Sequence, residues 1–165
     1  MNSLLLEAMQ LKQVDRAGWL RAGIEHPESV AAHTWGVSLL VLALADDRID
    51  RDRAVRIALV HDLAEVRVGD ITPYDGIEPA AKHAMEREAA ETMFEDHPEF
   101  FKLWLEYEEG TTPEARFVKD CDKLDMAIQA THYSREHSVD TSEFIASAGA
   151  GIEHPNARNM FTKLC

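Results

Sequence analysis

Cysteine is nearly absent: Cys121 and Cys165 are the only two, and neither belongs to a CxxC pair. That excludes a disulfide framework and a cysteine-based zinc site. Long apolar runs are missing as well. The longest, residues 39–45, is far too short to span a bilayer. Near the start, Leu4-Leu5-Leu6 is cut off by Glu7, which does not make the apolar core of a signal peptide, and Cys165 as the last residue forms no prenylation box. The expectation is a reducing, cytoplasmic location away from any membrane.

Positive charge is scarce too. Lys and Arg number 17 against 30 Asp and Glu, for a formal charge of −13. A broad basic face for nucleic acid is thereby excluded. The same field repels an anionic substrate at long range, so a site for one needs a bound cation and a few local Arg or Lys residues. There is no alternating strand pattern, no internal repeat, no low-complexity tract and no linker.

What is present is helical periodicity, in a 165-residue chain that is 45% apolar and long enough for a hydrophobic core. The expectation is an all-α fold in a single domain over residues 1–165. A first helix, with Ser3 as its cap, runs to about Val14. Residues 15–23 read as a loop with two glycines, two arginines and Trp19. Such a loop is either a surface segment pinned by one buried Trp or an anion-binding loop with a stacking platform. A second helix, from Pro27-Glu28 to about Asp46, carries the stripe Val30, His33, Val37, Leu40, Val41, Leu44. A third covers residues 51–66. Residues 69–76 form a Gly-, Pro- and Asp-rich loop, and a fourth helix covers 78–95 with Ala81, Ala84, Met85, Ala89, Thr92 and Met93 inward. After His97-Pro98 comes an aromatic helix with Phe100, Phe101, Trp104 and Tyr107, suited to core or a subunit interface. Thr112 caps, and Pro113 opens, a fifth long helix to about Arg135; a short helix over 156–163 ends the chain.

The third helix holds the anomaly. His61, Asp62 and Glu65 lie in an apolar stretch, with His61 and Glu65 one turn apart and Asp62 turned toward the core. Inward charges on one short helix are costly unless paired or bound to a metal. His33 supplies a second inward imidazole, and the fifth helix offers Asp122 or Asp125, between which helical spacing does not decide. Two imidazoles and two carboxylates suit Mn, Fe, Co, Ni or Zn and, more weakly, Mg, and leave coordination positions open for chemistry. Glu65 stands where it can manage a water's proton or protonate a leaving group.

His33, the His61-Asp62 pair and Asp122 within residues 119–124 resemble the H…HD…D signature of the HD-domain metal-dependent phosphohydrolases. Further blocks are similar to the 5′-deoxynucleotidase branch of that family: Arg16-Ala17-Gly18-Trp19, Pro27-Glu28-Ser29-Val30, residues 61–65 and Gly69-Asp70-Ile71-Thr72-Pro73. Together they span about residues 11–131. The resemblance implies an HD-domain bundle of about six to eight helices, commonly a homodimer. It implies that a divalent metal held by His33, His61, Asp62 and Asp122 activates water. The products are nucleoside and phosphate, from (deoxy)ribonucleoside 5′-monophosphates. Glu65 becomes the catalytic carboxylate, and a second, weaker metal falls to Glu65, Asp70 and the Ile71 carbonyl. Arg16, Trp19, Asp70 and Thr72 become substrate-binding residues, with Asp70 on the sugar. Some members of the branch have arginine directly before the tryptophan, where this chain has Gly18, so Arg21 competes with Arg16 as the phosphate clamp.

Two alternatives remain open on the sequence. His83 and His97 lie between the HD pair and Asp122, the interval in which di-iron oxygenases and cyclic-nucleotide phosphodiesterases of this fold carry extra ligands. Both are expected to be exposed, His83 on the outer side of its helix and His97 at a helix end. The other alternative is a non-catalytic, metal-stabilised helical module, for which Glu65 and Asp70 have no purpose.

Overall fold

A computed structural model describes residues 3–164, Ser3 by its backbone alone, so the expected Ser3 cap and the Cys165 thiol lie outside the described residues. The elements are α1 (Ser3–Ala8) running into a 3₁₀ segment (Met9–Gln13), α2 (Ala17–Arg21), α3 (Val30–Leu44), α4 (Arg51–Val60), α5 (Glu65–Val68), α6 (Pro79–Met93), α7 (Pro98–Glu109), α8 (Pro113–His137), α9 (Ser142–Gly151) and α10 (Pro155–Leu164). The fold is all-α. Among the described residues no strand forms; one isolated antiparallel bridge joins Asp15 to Ser29. No described helix is long and apolar enough to cross a membrane.

The axis is α8, on which α3, α4, α7, α9 and α10 all pack. It starts where expected: Thr112 Oγ1 accepts the Ala115 amide at 3.2 Å and Pro113 fills the first turn. Its buried residues, Ala115, Val118, Cys121 and Leu124 among them, recur at helical spacing. Val37 and Val41 of α3 and Ile57 and Ala58 of α4 close the core against Phe117, Val118 and Cys121.

Several expectations are corrected. Residues 51–66 are not one helix: α4 stops at Val60, and a turn carries the chain into α5. The cause is local. His61 Nδ1 donates at 2.7 Å to the Ala58 carbonyl, which a continuing helix offers to the residue-62 amide, and the bonds from Leu63 to Val60 and from Glu65 to Asp62 are of the tighter i to i+3 kind. The break leaves His61 buried with Asp62 beside it, whereas the apolar Leu59 just before it is exposed. Residues 15–23 are not wholly loop, since α2 forms within them. The bridge fixes its start, with the Arg16 amide on the Glu28 carbonyl at 3.1 Å and the Val30 amide on the Val14 carbonyl at 2.8 Å. Ser29, not Pro27, is the boundary of α3, accepting the Ala32 amide through its hydroxyl.

In α6 only Ala89, Ala90 and Met93 are buried; Ala81, Ala84, Met85 and Thr92, expected inward, are exposed. The rings of α7 are consumed internally: Trp104 is buried with Phe94 and Met93, and Phe100 and Phe101 pack on the same cluster. α9 was not anticipated.

Candidate active site

Three elements meet over the α4–α5 break. His33 of α3 and His61 are buried, and Asp62 and Asp122 of α8 face them. His33 Nε2 lies 3.1 Å from Asp122 Oδ1 and 3.7 Å from Asp62 Oδ2, and His61 Nε2 lies 3.1 Å from the same Asp62 oxygen. His33, His61 and Asp62 each turn one ligand-type atom into a common point, all within 4.8 Å of one another. His33 Nε2, His61 Nε2 and Asp62 Oδ2 are buried with no hydrogen bond in good geometry. Orphaned buried polar atoms are costly in a folded chain, and a divalent cation satisfies all three at once. The donor set fits the N/O chemistry of Mn, Fe, Co, Ni or Zn, with Asp122 at the edge of the group.

The charges around this point are strongly coupled. For His33, burial and Arg16 oppose protonation, but Asp122 and Asp125 outweigh them and push the imidazole up to about 10. His61 is raised as well, its burial overcome by Asp62. Asp62 and Asp122 are pulled below the usual carboxylate range: burial works against ionisation, but the facing imidazoles prevail. A cation therefore displaces protons from the imidazoles. Glu65, also buried with one carboxylate oxygen unpartnered, goes the other way. Burial first, then Asp62 and Asp70, holds its carboxyl well above the usual range.

Two cavities lie side by side here. One, of about 410 Å³, is lined by His61, Asp62, Glu65, Asp122, Lys82 and Tyr107. The other, of about 300 Å³, is mostly apolar and lined by Trp19, Ile71, Thr72, Tyr74 and Phe144. Arg16, Asp70 and Met126 belong to both. Trp19 is buried: its Nε1 donates to Glu28 at 3.0 Å, and its ring packs on Phe144 at 4.4 Å and on Tyr133 at 5.3 Å. Asp70 accepts the Ala17 amide at 2.8 Å and lies 3.7 Å from Arg16. Thr72 is tied to Asp75 by its hydroxyl at 2.7 Å. Arg21 sits at the rim, stacked 3.8 Å over Tyr74 and paired with Glu143, which also accepts the Tyr74 hydroxyl at 2.8 Å. The Ile71 carbonyl accepts from Lys82 Nζ at 2.8 Å, so an ammonium group holds the oxygen that the resemblance gives to a second metal.

Sequence reasoning missed several partners. Tyr107, read as core or interface, donates to Asp122 at 2.9 Å. Lys82, Glu143 and Phe144 had no signal, since each reaches the site only through packing between distant elements. His83 is exposed as expected, yet it lines the mouth of the polar cavity with its ring on Glu108 at 2.9 Å. His97 is half-buried, its ring on Glu99 at 3.2 Å and stacked on Phe100. Neither joins the group formed by His33, His61 and Asp62.

A helical bundle that gathers His, His-Asp and Asp from three elements around one point defines the HD class, and residues 8–160 match the HD domain family, to which the chain belongs. Its similar proteins are more specific. The human protein named 5′-deoxynucleotidase HDDC2 is 38% identical over 162 residues, 94% of this chain and 79% of its own length. A Schizosaccharomyces pombe protein named 5′-deoxynucleotidase hdd1 is 41% identical over 157 residues, 88% of this chain and 79% of its own. Among solved structures, a Pyrococcus horikoshii protein superposes with a TM-score of 0.84 at 34% identity, covering 99% of this chain and 98% of that one.

Proposed function

We propose that the chain, as one HD domain over residues 1–165, is a metal-dependent nucleotide phosphohydrolase of the 5′-deoxynucleotidase type. The observation that carries this reading is the adjacency of the two cavities: an apolar pocket of nucleoside size shares Arg16, Asp70 and Met126 with the cavity over the His/Asp centre. The relatives named 5′-deoxynucleotidase support the substrate class. His33, His61, Asp62 and Asp122 would hold the metal, which when bound lowers the pKa of water and draws charge from phosphoryl oxygens.

The chain's own groups then have distinct tasks. Arg16, held charged by Asp70 and Asp62 despite its burial, binds the nonbridging oxygens. Water adds to phosphorus as the bond to the 5′-oxygen breaks; Glu65, whose carboxyl is held well above the usual range, gives its proton to that oxygen and takes one back from the attacking water. Asp70, fixed by the Ala17 amide, accepts from a sugar hydroxyl, and Thr72 lines the same wall. Trp19 and Phe144 present the nucleoside wall. Arg21 is committed to Tyr74 and Glu143, which favours Arg16 as the clamp. The test is phosphate release from deoxyribo- and ribonucleoside 5′-monophosphates with Mn, Co, Zn or Mg added. No release from any of them with every metal sinks the reading.

We also propose a cytoplasmic homodimer. Trp35, Leu39 and Leu42 are 68%, 48% and 50% exposed and form one apolar stripe on α3, which supports an interface there and not on α7. The buried free thiol of Cys121 suits a reducing compartment. Sedimentation of Trp35→Glu checks the stripe: a wild type that is already monomeric, or a variant that stays dimeric, rules it out.

A further inference from the structure

We propose that Asp125 is a positioning residue for the metal centre: it sets which nitrogen of His33 is free, and Gly36 is the residue that makes room for it. The inference rests on the ligand reading above and extends it to two residues that reading does not use.

His33 has two ring nitrogens facing opposite ways. Nε2 faces Asp62 and Asp122, while Nδ1 lies 2.7 Å from Asp125 Oδ2. A carboxylate there accepts the Nδ1 proton, leaves the Nε2 lone pair bare and makes it a stronger donor. The opposite tautomer puts a proton where the metal belongs. His61 is set the same way by a backbone partner, the Ala58 carbonyl, so it needs no carboxylate. For His33, within α3, the orienting group is a side chain of another helix, Asp125 of α8.

The pairing is built into both helices. His33 and Gly36 are three apart on α3, and Asp122 and Asp125 are three apart on α8, so each pair shares one helix face. The two faces meet, with Asp122 on one side of the imidazole and Asp125 on the other. Gly36 stands in mid-helix, where glycine is disfavoured against alanine. A Cβ built on it would overlap Asp125 Oδ1 and come within 3.0 Å of its Cγ. Space at residue 36 is thus a condition of the Asp125 to His33 contact.

Glu28, His33 and Asp125 form a second group whose oxygens and Nδ1 converge. Its commitments argue against a metal there: one Glu28 oxygen accepts Trp19 Nε1 at 3.0 Å, and Asp125 holds the Nδ1 proton. The arrangement instead backs the imidazole from behind and links it, through Glu28, to the tryptophan of the nucleoside wall.

The test measures zinc affinity by competition with a chromophoric chelator, independently of phosphatase activity. It uses the wild type, Asp125→Asn, Asp125→Ala, Gly36→Ala and the Gly36→Ala/Asp125→Ala double variant. Asp125→Ala should weaken zinc binding by about 10–100-fold. Asp125→Asn, whose carbonyl still accepts the Nδ1 proton, should recover most of that loss. Gly36→Ala, which keeps every ligand and Asp125 itself, should lose affinity comparably, and the double variant should be no worse than Asp125→Ala, because both changes break one contact. Long-range ¹⁵N–¹H spectra of zinc-loaded protein should show His33 as a pure Nδ1–H tautomer in the wild type and a departure from it in Asp125→Ala. Zinc affinity in Asp125→Ala or in Gly36→Ala within twofold of wild type overturns the inference alone. If Asp125→Ala fails to fold, Gly36→Ala and Asp125→Asn decide. A wild type that binds no zinc removes the ligand reading and this inference with it.

Discussion

Arg16 and Asp70 hold each other on the wall the two cavities share: the guanidinium is 3.7 Å from one carboxylate oxygen, and the other oxygen takes the Ala17 amide at 2.8 Å. A buried arginine so placed in a chain of net charge −13 gives a phosphate a local positive field. Arg16→Ala should therefore lower kcat/KM for a deoxynucleoside 5′-monophosphate by about 10²–10³-fold, the scale of losing one charge-stabilising donor. Arg21→Ala, which removes only the rim contact with Tyr74 and Glu143, should cost at most about tenfold and mainly in KM. Steady-state kinetics of the two variants decide between them; the larger loss at Arg21 would transfer the clamp to it.

Glu65 differs from Asp62 and Asp122 in direction: burial, Asp62 and Asp70 hold its carboxyl well above the usual range. Glu65→Gln keeps its size and leaves His33, His61, Asp62 and Asp122 in place. Turnover should fall by about 10²–10⁴-fold, the range for loss of a general acid or base, while bound metal per chain stays at the wild-type value. Metal content by mass spectrometry and single-turnover rates check both halves. Wild-type turnover would take Glu65 out of the mechanism.

Acid should loosen the α4–α7 contact before it reaches the core. Burial favours the neutral form of Glu106, but hydrogen bonds from Arg53 at 2.7 Å and Thr112 at 2.6 Å outweigh it and hold the carboxyl below its ordinary value. A carboxyl whose folded pKa is lowered adds stability above its unfolded pKa, near 4.5, and loses it as pH falls through the folded value. Glu106→Gln should flatten the stability profile below that pH and lower stability modestly above it, because Arg53 is half exposed and screened. Urea unfolding from pH 7 to pH 3 measures both; parallel profiles for the variant and the wild type count against the linkage.

Much of this architecture was legible in the sequence, for identifiable reasons. α8 announced itself through Thr112-Pro113 and its periodic apolar face, and His33, His61, Asp62 and Glu65 drew notice as polar residues on apolar faces. The α4–α5 break was not legible, because residues 51–66 keep helical periodicity throughout and the interruption comes from a side-chain bond of His61 to Ala58. The different places of Asp122 and Asp125 were not legible for a similar reason. Both face α3, and only the rotation of the His33 ring between them gives one a place beside Nε2 and the other a place beside Nδ1. Phe144 and Glu143 belong to α9, a short helix rich in Ser, Ala and Gly that reaches the site only through packing on α8.

Removing the metal should destabilise the fold as well as stop the reaction. Without a cation, His33 and His61 stay buried against Asp62 and Asp122 with orphaned atoms, a cost that binding relieves. At metal concentrations about 100-fold above Kd the linked stabilisation is about 2.7 kcal/mol. For a chain of 165 residues that corresponds to a rise in Tm of about 5–11 °C. Asp62→Ala deletes the carboxylate that both imidazoles face, so it should abolish the metal-dependent shift together with activity. Thermal melts of both proteins, dialysed against chelator and then titrated with Mn or Zn, read the effect directly. A wild type whose Tm ignores both ions, or an Asp62→Ala variant that responds as the wild type does, would show that the centre at the α4–α5 break is not where the metal binds.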